Sequence, residues 1–106
     1  MKEASLKTAT IKHLRALYGA DIVVEKRFGS GYGANGQPDL NICIAGGSVQ
    51  IELKTDVGEL TELQKLRLEQ WAQAGAVVGV ARSVHEAVGI VERARTTFSK
   101  KRVIVK

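Results

Sequence analysis

The chain predicts an α/β domain, a central mixed sheet flanked by helices. Three observations carry this expectation. Apolar residues recur at helical spacing near both ends and again after residue 60, short runs between them have strand character, and the resulting order is helix, three strands, helix, strand, helix. A chain of 106 residues is long enough for one core but not two, so residues 1–106 are expected to form a single domain.

Residues 2–18 read as the first helix, because at 100° per residue Ile11, Leu14, Leu17 and Tyr18 make one apolar stripe. Glu3 falls on that stripe two turns upstream and so faces the body of the protein. Its plain reading is a first-turn acid that complements the helix dipole. Asp21 to Phe28 reads as a strand, with Ile22, Val23 and Val24 as its apolar part. The stretch from Gly29 to Gly36 contains a literal G-x-G-x-x-G. A dinucleotide fingerprint needs a helix to open at that loop, and here Gln37-Pro38-Asp39 leads into a strand, so the dinucleotide reading fails. Two readings of the loop stay open. It is an ordinary connection, or its glycines let a nucleic-acid backbone approach beside Lys26, Arg27 and Tyr32.

The run Leu40-Asn41-Ile42-Cys43-Ile44, the turn Ala45-Gly46-Gly47 and the return Ser48 to Lys54 together read as a hairpin. Alternation along the second strand puts Glu52 and Lys54 on one face, with Ile51 and Leu53 on the other. The hairpin can then bring Asp39 beside Glu52 and Lys54. Two carboxylates and an amine on one face suit a divalent cation with its water, Mg²⁺ taking hard oxygen ligands. The carbonyl of Leu53 lies between the two functional side chains and could supply a further oxygen. Lys54 could hold or deprotonate the water. A cross-strand salt-bridge cluster on a half-solvated sheet explains the same residues without chemistry, and on these residues alone both readings stand.

After the turn at Thr55 to Gly58, Leu60 to Ala74 reads as a helix with Leu63, Leu68, Trp71 and Ala74 facing inward. Thr61-x-x-Gln64 matches a capping box, which by itself accounts for Gln64. Arg67 has two readings, a reach to a phosphate or a stem that snorkels to the rim. Ala76 to Ala81 is a continuous apolar run that predicts a buried central strand. Ser83-x-x-Glu86 opens another capped helix, with Val84, Ala87, Val88 and Val91 on one side. From Ser99 the tail Lys100-Lys101-Arg102 and Val103 to Val105 reads as an edge strand with basic flanks, or as an arm that tracks phosphates.

Composition narrows the partners. Sixteen Lys and Arg against eleven Asp and Glu leave +5 and a pI near 9.6, which favours a polyanion. The single cysteine, Cys43, is expected in the core, and with no partner for a disulfide it suits a reducing cytoplasm. His13 and His85 are exposed by periodicity and share no ligand spacing, so a zinc set is excluded. The longest apolar run, Ala74 to Ala81, is far short of a membrane span, and no signal peptide is visible.

Pro38-Asp39 followed after a gap by Glu52-Leu53-Lys54 resembles the PD-(D/E)XK nuclease superfamily. The form Gly36-Gln37-Pro38-Asp39-Leu40, the Glu-Leu-Lys and the later Gly58 to Gln64 are most similar to its VRR-NUC branch, over Glu3 to about Ser83. The resemblance implies a restriction-endonuclease-like core and a Mg²⁺- or Mn²⁺-dependent DNA endonuclease. In it Asp39, Glu52 and the Leu53 carbonyl hold metal, Lys54 activates or positions water, Glu3 adds an acid from the first helix, and Gln64 supports the site, a role that one amide is not expected to serve fully together with the cap. Standalone members of the branch are expected to pair and to resolve four-way junctions, whereas larger relatives cut flaps. The resemblance therefore implies branched DNA as substrate, a homodimer and the cytoplasm of a bacterial or phage-infected cell. The first helix and the C-terminal strand are its candidate pairing faces. A flap nuclease and a non-catalytic nucleic-acid-binding module are the alternatives.

Overall fold

The computed structural model describes residues 2–27 and 35–101, without the side chain of Lys101. The elements are α1 (Glu3–Tyr18), a short 3-10 turn (Gly19–Asp21), β1 (Ile22–Lys26), β2 (Leu40–Ile44), β3 (Gly47–Leu53), α2 (Glu62–Gln73), β4 (Val77–Ala81) and α3 (Val84–Lys101). One mixed sheet has the order β1-β2-β3-β4. The first two pairings are antiparallel and the third is parallel. A parallel neighbour needs a crossover, and α2 supplies it.

The β2–β3 hairpin closes with Ile44 opposite Gly47, so Ala45 and Gly46 alone make the turn. Both have positive φ, 53° and 81°, the signature of a type I′ turn, whose twist matches that of the strands. From this turn the register runs back without a slip to Leu40 opposite Ile51. The apolar alternation locks it, since a slip by one residue would move every core side chain to the other face.

Leu40, Ile42 and Ile44 share one sheet face with Val49, Ile51 and Leu53. They join Leu6 and Leu14 of α1 and Ala87, Ile90, Val91 and Ala94 of α3 in one buried cluster. The hydroxyl of Tyr18 donates to Glu92 at 2.6 Å and ties α1 to α3 beside that core. The helix α2 lies over the opposite face, where its Gln64 reaches Glu52 and its Trp71 stacks on Arg27. At the β1 side no element among the described residues covers this second face, and Val23 and Cys43 are exposed there.

Several expectations are corrected by this layering. Cys43 is not a core thiol, because it points to the sheet face that α2 does not cover. Among the described residues the strand β4 lies at the edge of the sheet, not at its centre. Its apolar run reflects α2 and α3 covering both faces, not two strand neighbours. Leu17 is 52% exposed, because the inward row of α1 runs from Leu14 to Tyr18, which packs against the core, and Leu17 lies to one side of it. Leu63 and Ala74 of the second helix are exposed rather than inward. The C-terminal basic run does not begin a tail at Ser99, since α3 continues through Lys101. Residues 102–106, where an edge strand or arm was expected, lie outside the described residues. Among the described residues no helix is long and apolar enough to cross a membrane.

Gly36 shows why the approach to Asp39 is built as it is. Its φ is +73°, and a Cβ there would stand 2.5 Å from Cγ of Leu63. Gly36→Ala therefore meets both a left-handed backbone and a close contact with α2. It is expected to lower stability by about 1–3 kcal/mol, read as the midpoint shift in urea denaturation.

Candidate active site

Each residue of Gly36-Gln37-Pro38-Asp39 has a physical task. The glycine admits the turn beside Leu63. Gln37 accepts the indole N–H of Trp71 at 2.8 Å, and the carbonyl of Pro38 accepts from the Arg27 guanidinium at 2.9 Å. Asp39 then stands at the head of β2. Its carbonyl accepts the Arg27 N–H, which extends the β1–β2 pairing, and its Oδ2 accepts the Leu53 N–H at 2.8 Å.

Pro38 also acts through what it lacks. The hairpin register, continued from Leu40 opposite Ile51, brings Pro38 to the position opposite Leu53. Hydrogen-bonded residues in an antiparallel ladder exchange both of their bonds, and proline has no N–H to give. No N–H from position 38 therefore reaches the Leu53 carbonyl. The same residue's N–H is taken by the Asp39 side chain. The ladder opens at the place where a carbonyl oxygen was expected to serve as a ligand.

Glu52 lies two residues past Gln50 on the α2 side of β3, and both are buried. Two groups meet the Glu52 carboxylate. Gln64 Nε2 donates to Oε2 at 2.9 Å, and Lys54 Nζ lies 3.6 Å from the same oxygen. The other oxygen, Oε1, is buried with no hydrogen-bond partner. Carboxylate oxygens of Glu3, Asp39 and Glu52 all lie within 4.8 Å of one another. Burial, and then the charge of Asp39, raise the Glu52 pKa from 4.5 to about 7, against the lowering effect of Lys54.

A hard divalent cation fits this donor set. It would answer the unpartnered buried oxygen and the crowding of three acids, with oxygen donors that Mg²⁺ and Mn²⁺ accept.

The sequence framed Gln64 as a choice between capping and the site, because one amide could not serve both. The structure corrects this. The amide carbonyl accepts the Thr61 N–H at 2.9 Å while its NH₂ donates to Glu52. Donor and acceptor are separate ends of the group, so no competition arises. The Gln64 N–H completes the capping box on Thr61 Oγ1 at 3.1 Å.

Lys7 was missed. Its Nζ lies 3.5 Å from Asp39 Oδ1, one helical turn beyond Glu3. The i, i+4 spacing that placed Glu3 toward the body places Lys7 there as well, and that was the available signal. Also unforeseen was the support beneath the site. Buried Gln50 accepts from Arg27 at 2.6 Å and donates to Asn41 and Ser48, while Arg27 stacks over Trp71 at 5.1 Å. Arg82 pins the loop after Lys54 through the carbonyls of Thr55 and Gly58.

The basic residues singled out for nucleic acid are scattered. Arg27 is committed to Pro38, Gln50 and Trp71, and burial lowers its pKa. Arg67 donates to the Asn35 carbonyl and to Gln70. Lys26 is exposed at the end of β1, and Lys100 is exposed near the end of α3. Tyr32, Arg102 and the Lys101 side chain lie outside the described residues.

No protein-family model matches the chain, and no curated protein matches it. Solved structures do. One described as a "VRR_NUC domain protein" superposes with a TM-score of 0.71 at 21% identity, over 91% of this chain and 89% of that one. Another, described as a "VRR_NUC domain", gives 0.62 at 24% identity, over 81% of this chain and 94% of the other. The architecture is thus that of a restriction-endonuclease-like α/β core. Within that class, the chain has the fold of a VRR-NUC domain.

Two outcomes follow from this geometry. In the unfolded chain Glu52 titrates near its ordinary 4.5, and in the fold near 7. Between these values the folded state keeps a proton that the unfolded state has lost, so metal-free stability is expected to fall as pH rises from about 4.5 to about 7. Glu52→Gln is expected to flatten that dependence, as followed by denaturation midpoints across the range. Gln64→Glu keeps the cap but sets a carboxylate against Glu52. Its helix is expected to remain folded by circular dichroism while divalent-ion binding, measured by calorimetry, changes from that of the wild type.

Proposed function

We propose that this chain is a Mg²⁺- or Mn²⁺-dependent DNA endonuclease that acts on branched DNA, four-way junctions foremost, as a homodimer. The observation that carries the reading is the juxtaposition of Glu3, Asp39 and Glu52 with Lys54 on one buried carboxylate, on a fold shared with VRR-NUC domains.

Asp39, Glu52 and the Leu53 carbonyl would hold the cation, with Glu3 as a further acid. When bound, the cation polarises the scissile phosphate and lowers the pKa of its water. Every other part belongs to the chain. Gln64 fixes the rotamer of Glu52 by donating to Oε2, which leaves Oε1 without a hydrogen-bond partner. The Leu53 N–H does the same for Asp39 through Oδ2. Lys54 presents an ammonium beside Glu52, placed to orient the attacking water and to offset charge that builds on the phosphate. Lys54 is itself held because its N–H donates to the Ala81 carbonyl, at the end of the parallel pairing.

Branched DNA is favoured over a base sequence because the described residues hold no separate element for reading base edges, whereas shape and phosphates can be met by a small basic surface. A four-way junction has two-fold symmetry, and resolving it needs two cuts on opposed strands. A C₂ homodimer supplies two identical sites in that relation.

Asp39→Asn and Lys54→Ala are each expected to reduce cleavage at least about 100-fold with DNA binding largely retained, since affinity rests on the basic surface. EDTA is expected to stop the wild type. With duplex, flap, splayed and four-way-junction DNA offered side by side, paired symmetric nicks in the junction are expected. Light scattering at micromolar protein should give a dimer. Wild-type cleavage by Asp39→Asn would move the active site elsewhere. A monomer that cuts flaps better than junctions would replace the junction reading with the flap reading.

A further inference from the structure

A groove of about 440 Å³ runs between α1 and β1, lined by Thr8, Ile11, Lys12, Arg15 and Lys26. Three of these five residues are cationic and none is acidic. Glu25, the neighbouring acid on β1, points to the opposite sheet face, where it accepts from Asn41 at 3.1 Å. Arg15 donates one N–H to the Val24 carbonyl at 3.0 Å, which anchors its stem on the wall and leaves the rest of the guanidinium to the groove. Lys12 is exposed and, among the described residues, makes no ion pair.

The groove is continuous with the candidate active site along both walls. On α1, Glu3, Lys7, Ile11 and Arg15 follow one another at i, i+4 and so form one row, which starts in the carboxylate cluster and passes Asp39 at Lys7. On β1, Lys26 pairs with Leu40, the residue after Asp39, and Val24 lies farther from the site where Arg15 meets it. From Lys7 to Arg15 the row spans about 12 Å of helix. That is the axial length of roughly three to four nucleotides of one duplex strand, at about 3.4 Å each.

We infer that the α1–β1 groove holds the sugar–phosphate backbone of the DNA strand on one side of the scissile phosphate. Lys12 and Arg15 meet phosphates there, and Ile11 lies against the sugars. This rests on the nuclease reading above and deepens it, by naming the path the substrate takes from the site. A polynucleotide fits better than other polyanions because the strand being cut must leave the carboxylate cluster, and this groove is the cationic path that begins there. An anionic bilayer, being flat, would meet Glu3 as well as the lysines and would gain little from a concave wall.

The test is the doubly neutralised variant Lys12→Gln/Arg15→Gln, compared with Arg93→Glu. The latter removes the same net charge at an exposed position on α3. Binding to a fluorescein-labelled four-way junction and to a duplex is followed by anisotropy in EDTA, so that nothing is cut, across a series of KCl concentrations. The groove variant is expected to bind about 10-fold more weakly at moderate salt. Its log–log salt slope should be shallower by about two, at about 0.9 for each phosphate no longer neutralised, and Arg93→Glu should move neither beyond about twofold. Should the double variant fail to fold, Lys12→Gln alone carries the test, with about half the change in slope. Unchanged affinity and slope in the groove variants, with a wild type that binds DNA, would overturn the groove and leave the nuclease reading intact. A wild type that binds neither DNA at low salt would overturn both. Loss of binding to phosphatidylserine vesicles with DNA binding preserved would reassign the groove to a membrane surface and overturn the inference.

Discussion

The arrangement of this protein depends on a carboxylate where carboxylates are rarely found. Glu52 is 2% exposed on the strand between β2 and β4, with a second acid beside it at Asp39. Burial and the like charge both work against its ionised form, which is why its pKa is pushed up to about 7. The surroundings answer part of this with the Lys54 ammonium and the Gln64 amide, and leave Oε1 unanswered. A fold that carries so destabilising a group must hold it from below. The Gln50, Arg27 and Trp71 assembly does so, by filling the space beneath the site with satisfied polar groups and a stacked guanidinium.

Position along the chain and chemical role are linked here by backbone hydrogen bonding. Pro38 ends a ladder and Asp39 takes over one of its bonds with a side chain, so the acid is oriented by the same N–H that the missing rung would have used. Gln64 works in a similar way on the other side of the site, one amide closing the N-terminus of α2 and steering Glu52. Helix start, strand end and carboxylate geometry are therefore coupled, and a change at Thr61 or Pro38 reaches the site without touching it.

Much of this was legible in the sequence, because hairpin alternation and helix caps are local. The facing of Asp39 and Glu52, and the presence of Glu3 on the inward side of α1, follow from periods of two and 3.6 residues. What was not legible depends on partners distant in the chain. An apolar run says that the faces of β4 are covered, and says nothing about how many strands flank it. Arg27 looked like a surface cation until Trp71 and Gln50 closed around it. Cys43 looked buried because its neighbours Ile42 and Ile44 are, and only the reach of α2 decides that its own face is open. Gln64 was misjudged for a different reason, since its two ends were counted as one.

The tight turn at Ala45-Gly46 has a consequence for how such a chain can change length. A two-residue turn of this type closes only on the hydrogen-bonded kind of rung, and the two kinds alternate along the ladder. The hairpin can thus be lengthened or trimmed by a pair of rungs at a time, with the tip moving in or out while the base stays put. Odd changes would demand a different turn or a bulge. The interval between Asp39 and Glu52 is accordingly quantised rather than free, and drift in the loop tip is decoupled from the two acids at its foot.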